Sequence, residues 1–345
     1  MAVKANKIAL LAVLLVLVLV LVLAPPAFAA LAKHGPIVPY NATAHTGNGY
    51  PRWYMDNNGV AVDIQVPPFA NIVPNPKPPP PATILGAPMM IFGPIPPGTT
   101  DQFTLDIGFD AEVFYFLAQP DRATFDDLFP GGATKVLNVL VALEAGFSTL
   151  VTINGNQAVW QRIRFNWRKS APEGFYKFIH PYGVEEGPLM VTTGVDPTTK
   201  LGDLLYTIDT PIINIPPFNF DLALGNTALN PGKIGPFLFQ LNPPPVITPP
   251  APGFPIPPGF NKPTDWLGDG ATAATFTGSP LGPTRNMWRI EAYTDAARTI
   301  PLNIFPTTVG GLPTVNFVET NLGVIAGHRY HFPDITPARY LLLSD

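Results

Sequence analysis

Proline sets the strongest limit on the fold of this chain, since 45 of its 345 residues are proline. The ring fixes φ and removes the main-chain N–H, so helix interiors and central strands tolerate few prolines. The prolines are densest in two tracts, 67–97 and 236–263. Tracts of this kind form extended, polyproline-like segments. We therefore expect strand-rich regions interrupted by extended proline-rich segments.

Period-two alternation is the commonest regular pattern outside these tracts. From Val159 to Arg168, the apolar residues Val159, Ile163, Phe165 and Trp167 alternate with Arg162, Arg164, Asn166 and Arg168. That alternation is typical of a strand with one buried face. Asn154-Gly155-Asn156 indicates a hairpin turn that joins this strand to one at Thr149 to Ile153.

Other segments predict further strands. Asp56-Asn57-Asn58-Gly59 indicates a second hairpin, and a strand is predicted at Phe103 to Phe109. Val136 to Phe147 contains enough alanine and leucine for a helix, but its valines and the turn signals after it favour a buried strand. The one short helical candidate is Ala123 to Leu128.

These patterns predict an all-β fold of two antiparallel β-sandwich domains, immunoglobulin-like or jelly-roll-like, joined by proline-rich segments. We expect an N-terminal sandwich at 30–210 with a proline-rich loop at 67–97. A proline-rich linker region at 211–263 would then lead to a smaller C-terminal β domain at 264–345.

The first 29 residues have the pattern of an export signal. Lys4 and Lys7 precede an apolar run from Ile8 to Ala24, and Ala27-Phe28-Ala29 resembles a cleavage site. The alternative is an uncleaved anchor, although the apolar run is short for a bilayer and is followed by two prolines. We expect a protein that is secreted, extracellular or at the cell surface, with no membrane span after cleavage.

Charge and cysteine content exclude several classes of function. The net charge is −4 and no basic cluster is evident, which argues against nucleic acid as a partner. The chain has no cysteine, which excludes disulfides, thiol catalysis and thiol-held iron–sulfur clusters. We expect no cofactor other than calcium, whose best candidate ligands are Asp265 and Asp269 in the segment 265–270. A solvated turn is the alternative for that segment.

The strand at Val159 to Arg168 carries the most distinctive polar surface, which we call the arginine face: Trp160, Arg162, Arg164 and Arg168. Guanidinium groups beside an indole can bind acidic polysaccharides or stack on sugars. The alternative is cross-strand pairing with acids on neighbouring strands. Glycoside hydrolysis would need two carboxyls across a cleft, and Glu185-Glu186 or Asp126-Asp127 are the acids to examine.

Several short motifs occur together in a recognisable order: a Tyr50-to-Val60 segment, Arg162-Ile-Arg164, Phe178-Ile-His-Pro-Tyr-Gly-Val184 and Thr277-Gly-Ser-Pro280. In this order the chain resembles a family of uncharacterised exported bacterial β-rich proteins with a His-Pro-Tyr-Gly-Val turn and a downstream Thr-Gly-Ser-Pro segment. The resemblance implies export and a β-rich fold and supplies no activity. It carries over His180, Tyr182 and Gly183 as turn residues, with His180 either fixing the turn by a hydrogen bond or acting as a catalyst.

We therefore expect an exported, non-enzymatic protein of the cell surface or extracellular matrix that acts by self-assembly or adhesion. Association of copies through strand edges would give an oligomer or polymer. A polysaccharide-binding module is the alternative, followed by a glycan-active hydrolase.

Overall fold

A computed structural model describes thirteen stretches of the chain: 31–64, 91–92, 95–121, 125–129, 136–187, 189–191, 196, 198–211, 216–225, 232–241, 266–270, 272–307 and 314–330. The predicted export signal at 1–29 and most of both proline tracts lie outside these residues, so their predictions stay untested.

Almost all regular structure in the described residues is β-strand. The strands are β1 (Leu31–His34), β2 (Trp53–Asp56), β3 (Ala61–Asp63), β4 (Ile91–Phe92), β5 (Glu112–Pro120), β6 (Val136–Phe147), β7 (Gln157–Pro172), β8 (Gly174–His180), β9 (Gly183–Glu185), β10 (Met190–Val191), β11 (Leu201–Thr210), β12 (Phe239–Gln240), β13 (Trp266–Asp269), β14 (Ala274–Thr277), β15 (Trp288–Tyr293), β16 (Phe305–Pro306), β17 (Thr314–Val315), β18 (Phe317–Thr320) and β19 (Leu322–Arg329). One α-helix, α1 (Gln102–Ile107), and 3-10 helices at Asp126–Leu128, Phe220–Leu224 and Pro283–Arg285 complete the described elements.

The strands pair antiparallel in two main sheets, which confirms the predicted all-β class. In the described part of the chain, the large sheet runs β1-β2-β3-β19-β5-β6-β7-β11, with β4, β12, β13 and β14 attached to it. The small sheet runs β10-β8-β15-β18, with β9 paired to β8. A separate two-stranded ladder joins β16 and β17.

The predicted domain boundary does not separate two sheets. Strand β19, from the range 264–345, pairs with both β3 and β5 and so lies inside the sheet of the N-terminal range. Strand β15, from the same C-terminal range, pairs with β8 along Arg289–Tyr293. Strand pairing is non-local, and the alternation of a single strand does not reveal its neighbour. The described parts of the two ranges therefore share both main sheets.

Part of the predicted linker region at 211–263 belongs to the core. Phe220, Phe237 and Leu238 are buried. The side chain of Gln161 on β7 donates to the carbonyl of Ala223 at 2.8 Å and accepts from the N–H of Ile234 at 2.7 Å. The described residues 216–225 and 232–241 are thus packed against the large sheet, although their proline content suggested a linker.

An aromatic stack joins the two sheets at the centre of the core. Phe165 on β7 stacks on Phe178 of β8, and Phe178 stacks on Trp288 of β15, with ring centroids 5.4 and 6.3 Å apart. All three side chains are buried. The apolar residues that alternate along β7 form the large sheet's side of this interface, as the sequence pattern predicts.

Two local predictions are wrong for reasons of backbone geometry. Residues 102–107 form helix α1, because Asp101 caps its N-terminus by accepting from the Thr104 N–H at 2.8 Å and Gly108 ends it at φ 85°. The segment Thr149 to Ile153 is a loop, because Leu150 adopts φ 58°, which a strand does not allow.

None of the helices in the described residues is long and apolar enough to cross a membrane.

Candidate functional site: an open sheet edge and an arginine face

Strand β11 is an edge of the large sheet. It pairs with β7 along Leu201–Thr210, and among the described residues no strand pairs with its other side. Its ten residues span about 33 Å. Leu204 and Tyr206 are buried, whereas Leu205 is 57% exposed and Thr207 is exposed. An edge strand directs alternate main-chain groups away from its sheet, where they can pair with another strand.

The sequence of β11 favours such pairing more than the other sheet edges do. Its central segment, Leu204 to Ile208, is uncharged and rich in residues that favour strands. Acids flank this segment at Asp203 and Asp209. By contrast, the edge strands β1 and β18 contain four residues each. Short edge strands and nearby charges usually protect a sheet against edge-to-edge association. Strand β11 has nearby charges, but it is long.

Arg162 of the arginine face is held by acids on three neighbouring strands. Its Nε lies 2.7 Å from Asp209 on β11, and its terminal nitrogen lies 2.6 Å from Glu144 on β6 and 3.4 Å from Glu112 on β5. Trp160 donates from its indole N–H to Glu144 at 2.8 Å, and the Arg162 guanidinium stacks on the Trp160 ring. This is the cross-strand pairing that the sequence left as the alternative to ligand binding.

Burial acts on the pKa values of both Glu144 and Arg162. Desolvation raises the pKa of Glu144 to about 8, although the charge of Arg162 acts in the opposite direction. Desolvation would lower the pKa of Arg162, but the hydrogen bond that Arg162 donates to Asp209 and the charges of the surrounding acids outweigh it and raise that pKa. Trp160 and Arg162 are only 3% and 9% exposed. They are therefore not placed to contact a ligand, contrary to the interpretation of the arginine face as a surface.

Arg164 and Arg168 are the members of the arginine face that remain accessible. Arg164 donates from Nε to the Thr207 hydroxyl at 3.2 Å, and no carboxylate of the described residues pairs with it. Burial, followed by the adjacent charge of Arg162, lowers the pKa of Arg164. Arg168 is 54% exposed and lies 3.6 Å from Asp203. These two guanidinium groups are available to an anion.

The His-Pro-Tyr-Gly turn connects β8 to β9. His180 is fully buried, and its Nδ1 accepts from the Tyr182 N–H at 3.3 Å. The Tyr182 hydroxyl donates to the carbonyl of Pro236 at 2.9 Å. Ser279, from the Thr-Gly-Ser-Pro segment, donates to the carbonyl of Pro181 at 2.6 Å. The structure thus brings together two of the motifs on which the resemblance rests. Gly183 pairs with His180 across the turn. A Cβ atom added at position 183 would lie 3.7 Å from the His180 ring, which is an ordinary van der Waals distance.

A buried carboxylate, Glu185, lies beneath this turn. It accepts from the Tyr206 hydroxyl at 2.5 Å and from Lys233 at 2.6 Å, and His180 Nε2 lies 3.4 Å away. Burial alone would raise the pKa of Glu185, but these hydrogen bonds hold it at about 2. Desolvation lowers the pKa of His180, which keeps the imidazole neutral. Tyr206 and Lys233 were missed in the sequence because they are distant along the chain.

The predicted calcium ligands lie at the edge of the described chain. Asp265 lies outside the described residues, and Asp269 is the last residue of β13. Among the described residues, no group of three or more His, Asp or Glu side chains could hold a metal ion. The calcium hypothesis stays untested.

The acids considered for glycoside hydrolysis are placed separately. Glu185 is buried in its hydrogen-bond network, whereas Glu186 pairs with Lys177 at 2.9 Å. Asp126 and Asp127 lie in a 3-10 helix. Two open depressions occur on the surface, and the described residues lining each include one carboxylate, Glu319 in one and Glu173 in the other.

No family model, curated protein or solved structure matches this chain. The resemblance to exported β-rich proteins stays a prediction.

Proposed function

We propose that this protein is a non-enzymatic structural component of the cell surface or extracellular matrix that self-assembles through the open edge of β11. The observation that carries the proposal is that edge: ten residues, an uncharged centre and an exposed Leu205. Pairing with a second copy would continue the large sheet across the contact and satisfy the outward main-chain groups. The export pattern at 1–29 and the absence of cysteine are compatible with this role.

The flanking acids restrict how two β11 strands can pair. In an antiparallel pair centred on Tyr206, Asp203 of one copy would lie opposite Asp209 of the other, and like charges directly opposite are destabilising. A pair centred on Leu205 places Asp203 opposite Thr207, which avoids that repulsion. Each arrangement has a two-fold axis, so it uses the same surface in both copies and closes at a dimer.

A lysine substitution on β11 tests the proposal. The purified exported protein should form oligomers whose mass, measured by light scattering, increases with concentration. In the pair centred on Leu205, the variant Leu205→Lys places two positive charges opposite one another and should shift the protein toward monomer. Val136→Lys is the matched control, since Val136 is 47% exposed but lies on β6 rather than at the edge. A monomer at all concentrations would exclude the proposal, as would assembly of Leu205→Lys equal to that of the unmodified protein.

Binding of an acidic polysaccharide is a second candidate function. It is supported by Arg164, a half-buried cation that pairs with no carboxylate of the described residues and lies on the same open face as Arg168. A half-buried guanidinium group without a carboxylate partner can bind carboxylate or sulfate groups with a fixed geometry. Arg162 is excluded from this role by its three acids.

Retention on immobilised acidic glycan tests this second function. Arg164→Gln should reduce retention strongly, and Arg168→Gln should reduce it less because Asp203 already offsets that charge. Arg52→Gln is the control, since Arg52 is exposed and stacks on Tyr330 away from this face. Unchanged retention of Arg164→Gln would exclude the arginine face as the binding surface.

A further inference from the structure

Asn41 begins the single Asn-x-Thr sequence of the chain, Asn41-Ala42-Thr43. Every other asparagine in the sequence lacks a serine or threonine two positions later. An asparagine followed at this spacing by a hydroxyl residue, with any residue except proline between them, is the acceptor of N-linked glycans in exported proteins. Because so short a motif also arises by chance, its place in the fold decides whether the amide can be reached.

The motif lies at the tip of the hairpin that begins with β1 and β2. The two arms of this hairpin stay paired up to the bridge between Asn41 and Thr46. Residues 42–45 form the turn that joins the arms. Asn41 and the three residues after it are exposed. A large enzyme can therefore approach the Asn41 amide without unfolding the chain.

Only one end of the Asn41 side chain is used by the fold. Its Oδ1 accepts from the main-chain N–H groups of Thr43 and Ala44, each at 3.0 Å, which forms an Asx turn. Its Nδ2 donates to no group of the described residues. The nitrogen is the atom to which an N-linked glycan is attached. The turn thus fixes the side chain through its oxygen and leaves the nitrogen accessible.

The hairpin tip is anchored to helix α1. Nδ1 of His45 lies 2.9 Å from the carboxylate of Asp106, and the Tyr40 hydroxyl donates to the same carboxylate at 2.6 Å. Asp106 is buried. Residues on both sides of the turn are therefore tied to the body of the protein, and the motif is presented at a defined place on its surface.

The fold alone accounts for Asn41 but not for Thr43. The contribution of Thr43 to the Asx turn is its main-chain N–H, which any residue except proline supplies. Its side chain is exposed, and its hydroxyl forms no hydrogen bond with the described residues. A purely structural role in the turn explains the asparagine only. An acceptor role explains the asparagine, the threonine and the spacing between them.

We propose that Asn41 is the acceptor of an N-linked glycan in the exported protein. In the transfer, Nδ2 of Asn41 forms a bond to the anomeric carbon of a sugar that is carried on a lipid diphosphate. The bond from that carbon to the diphosphate oxygen breaks, and the lipid diphosphate leaves with the electron pair. The nitrogen loses one proton to solvent. A membrane-bound oligosaccharyltransferase catalyses this step.

This inference rests on the export that residues 1–29 predict, and it does not depend on assembly through β11. Mass spectrometry of the protein recovered from outside the cytoplasm of the cells that produce it is the test. Trypsin should release residues 34–52 as one peptide, because Lys33 and Arg52 flank a segment without lysine or arginine. This peptide should carry the mass of a glycan, and fragmentation should locate that mass on Asn41. Asn41→Gln should remove it.

An unmodified peptide 34–52 in the exported protein would overturn the inference, while light scattering of the same sample would still decide whether the protein self-assembles. Recovery of the protein from the cytoplasm alone, with residues 1–29 intact, would overturn this inference and the proposed function together.

Two variants of Thr43 separate recognition of the motif from exposure of the amide. Thr43→Val removes the hydroxyl and should abolish the modification, whereas Thr43→Ser keeps the hydroxyl and should retain the glycan. The side chain is exposed, so both variants should melt at the temperature of the unmodified sequence. Asn58→Gln is the control, since Asn58 also lies in an exposed turn but has no hydroxyl residue two positions later, and it should keep the glycan. A glycan that persists on Asn41 in Thr43→Val would overturn the inference.

Discussion

The hydroxyl of Tyr206 donates a hydrogen bond to Glu185 at 2.5 Å, and this contact ties the edge strand β11 to β9 of the small sheet. Tyr206 is 6% exposed and Glu185 is 7% exposed. The edge strand is therefore held from its buried side, while Leu205 and Thr207 on its other side remain exposed. An ordered edge loses less conformational entropy when it pairs with a second copy than a mobile one does.

Removal of the Tyr206 hydroxyl should weaken the fold in a pH-dependent way. Tyr206→Phe leaves the buried Glu185 carboxylate with one donor fewer, which costs about 1–3 kcal/mol at neutral pH. The low pKa of Glu185 stabilises the fold above pH 4.5, and this contribution is lost as the pH falls toward 2. The difference between the variant and the unmodified protein in urea unfolding should therefore shrink across that interval.

Tyr182→Phe is the matched control for this experiment. It also loses a hydrogen bond, but its acceptor is the carbonyl of Pro236, which does not titrate. Its destabilisation should be the same at pH 7 and pH 3. A Tyr206→Phe effect that is equally independent of pH would contradict the assigned role of Glu185.

Glu144 should make the free energy of unfolding depend on pH with the sign opposite to that expected for Glu185. Its pKa is about 8 in the folded state against 4.5 in the unfolded state, so the folded state retains the proton between these values. Stability from this group is complete below pH 4.5 and is lost as the pH rises through 8. Glu144→Gln keeps an acceptor for the Trp160 indole and should remove the decline between pH 5 and pH 8.5, measured by urea unfolding.

Glu186→Gln serves as the comparison for Glu144, since Glu186 is 48% exposed in its pair with Lys177. This variant should retain the slope of the unmodified protein. If Glu144→Gln also retains that slope, the raised pKa of Glu144 is wrong.

Asp56 joins the hairpin of β2 and β3 to the region that was predicted as a linker. Its Oδ1 accepts from the N–H groups of Asn58 and Val60, and its Oδ2 accepts from the Phe237 N–H, each at 2.9 Å. Asp56→Asn keeps the turn but replaces the second acceptor with a donor. We expect a loss of about 1–3 kcal/mol and faster hydrogen exchange at Phe237.

Asp196→Asn is the control for Asp56, because both of its main-chain hydrogen bonds converge on one oxygen that asparagine retains. It should leave stability almost unchanged. Unchanged hydrogen exchange at Phe237 in Asp56→Asn would show that residues 232–241 are not held by the hairpin of β2 and β3.

Local patterns in the sequence predicted much of the secondary structure and little of the candidate site. Strand β7 follows from its alternation of apolar and polar residues, β6 follows from its valines and the turn signals after it, and the turn after Asp56 follows from its Asn and Gly residues. The position of β11 at an edge does not follow, because central and edge strands share the same alternation. The burial of Arg162 could not be predicted either, because the acids that it contacts lie on three other strands, which come together only in the folded chain.

The segment Thr149 to Ile153 was wrongly predicted as a strand for a related reason. The Asn154-Gly155-Asn156 turn signal after it suits a hairpin, and no sequence pattern reveals that Leu150 adopts a left-handed conformation. The uncharged centre of β11 between two aspartates was the available signal for the edge.

Hydrogen exchange along β11 tests the central claim most directly. Deuterium uptake of peptides covering Leu201–Thr210 should be compared in dilute and concentrated samples of the purified protein, with the turn at 57–59 as an internal reference. Self-assembly through this edge predicts that exchange in β11 slows as oligomers form, while the reference turn is unaffected. Oligomers that form with no change of exchange in β11, or a protein that stays monomeric, would contradict the account.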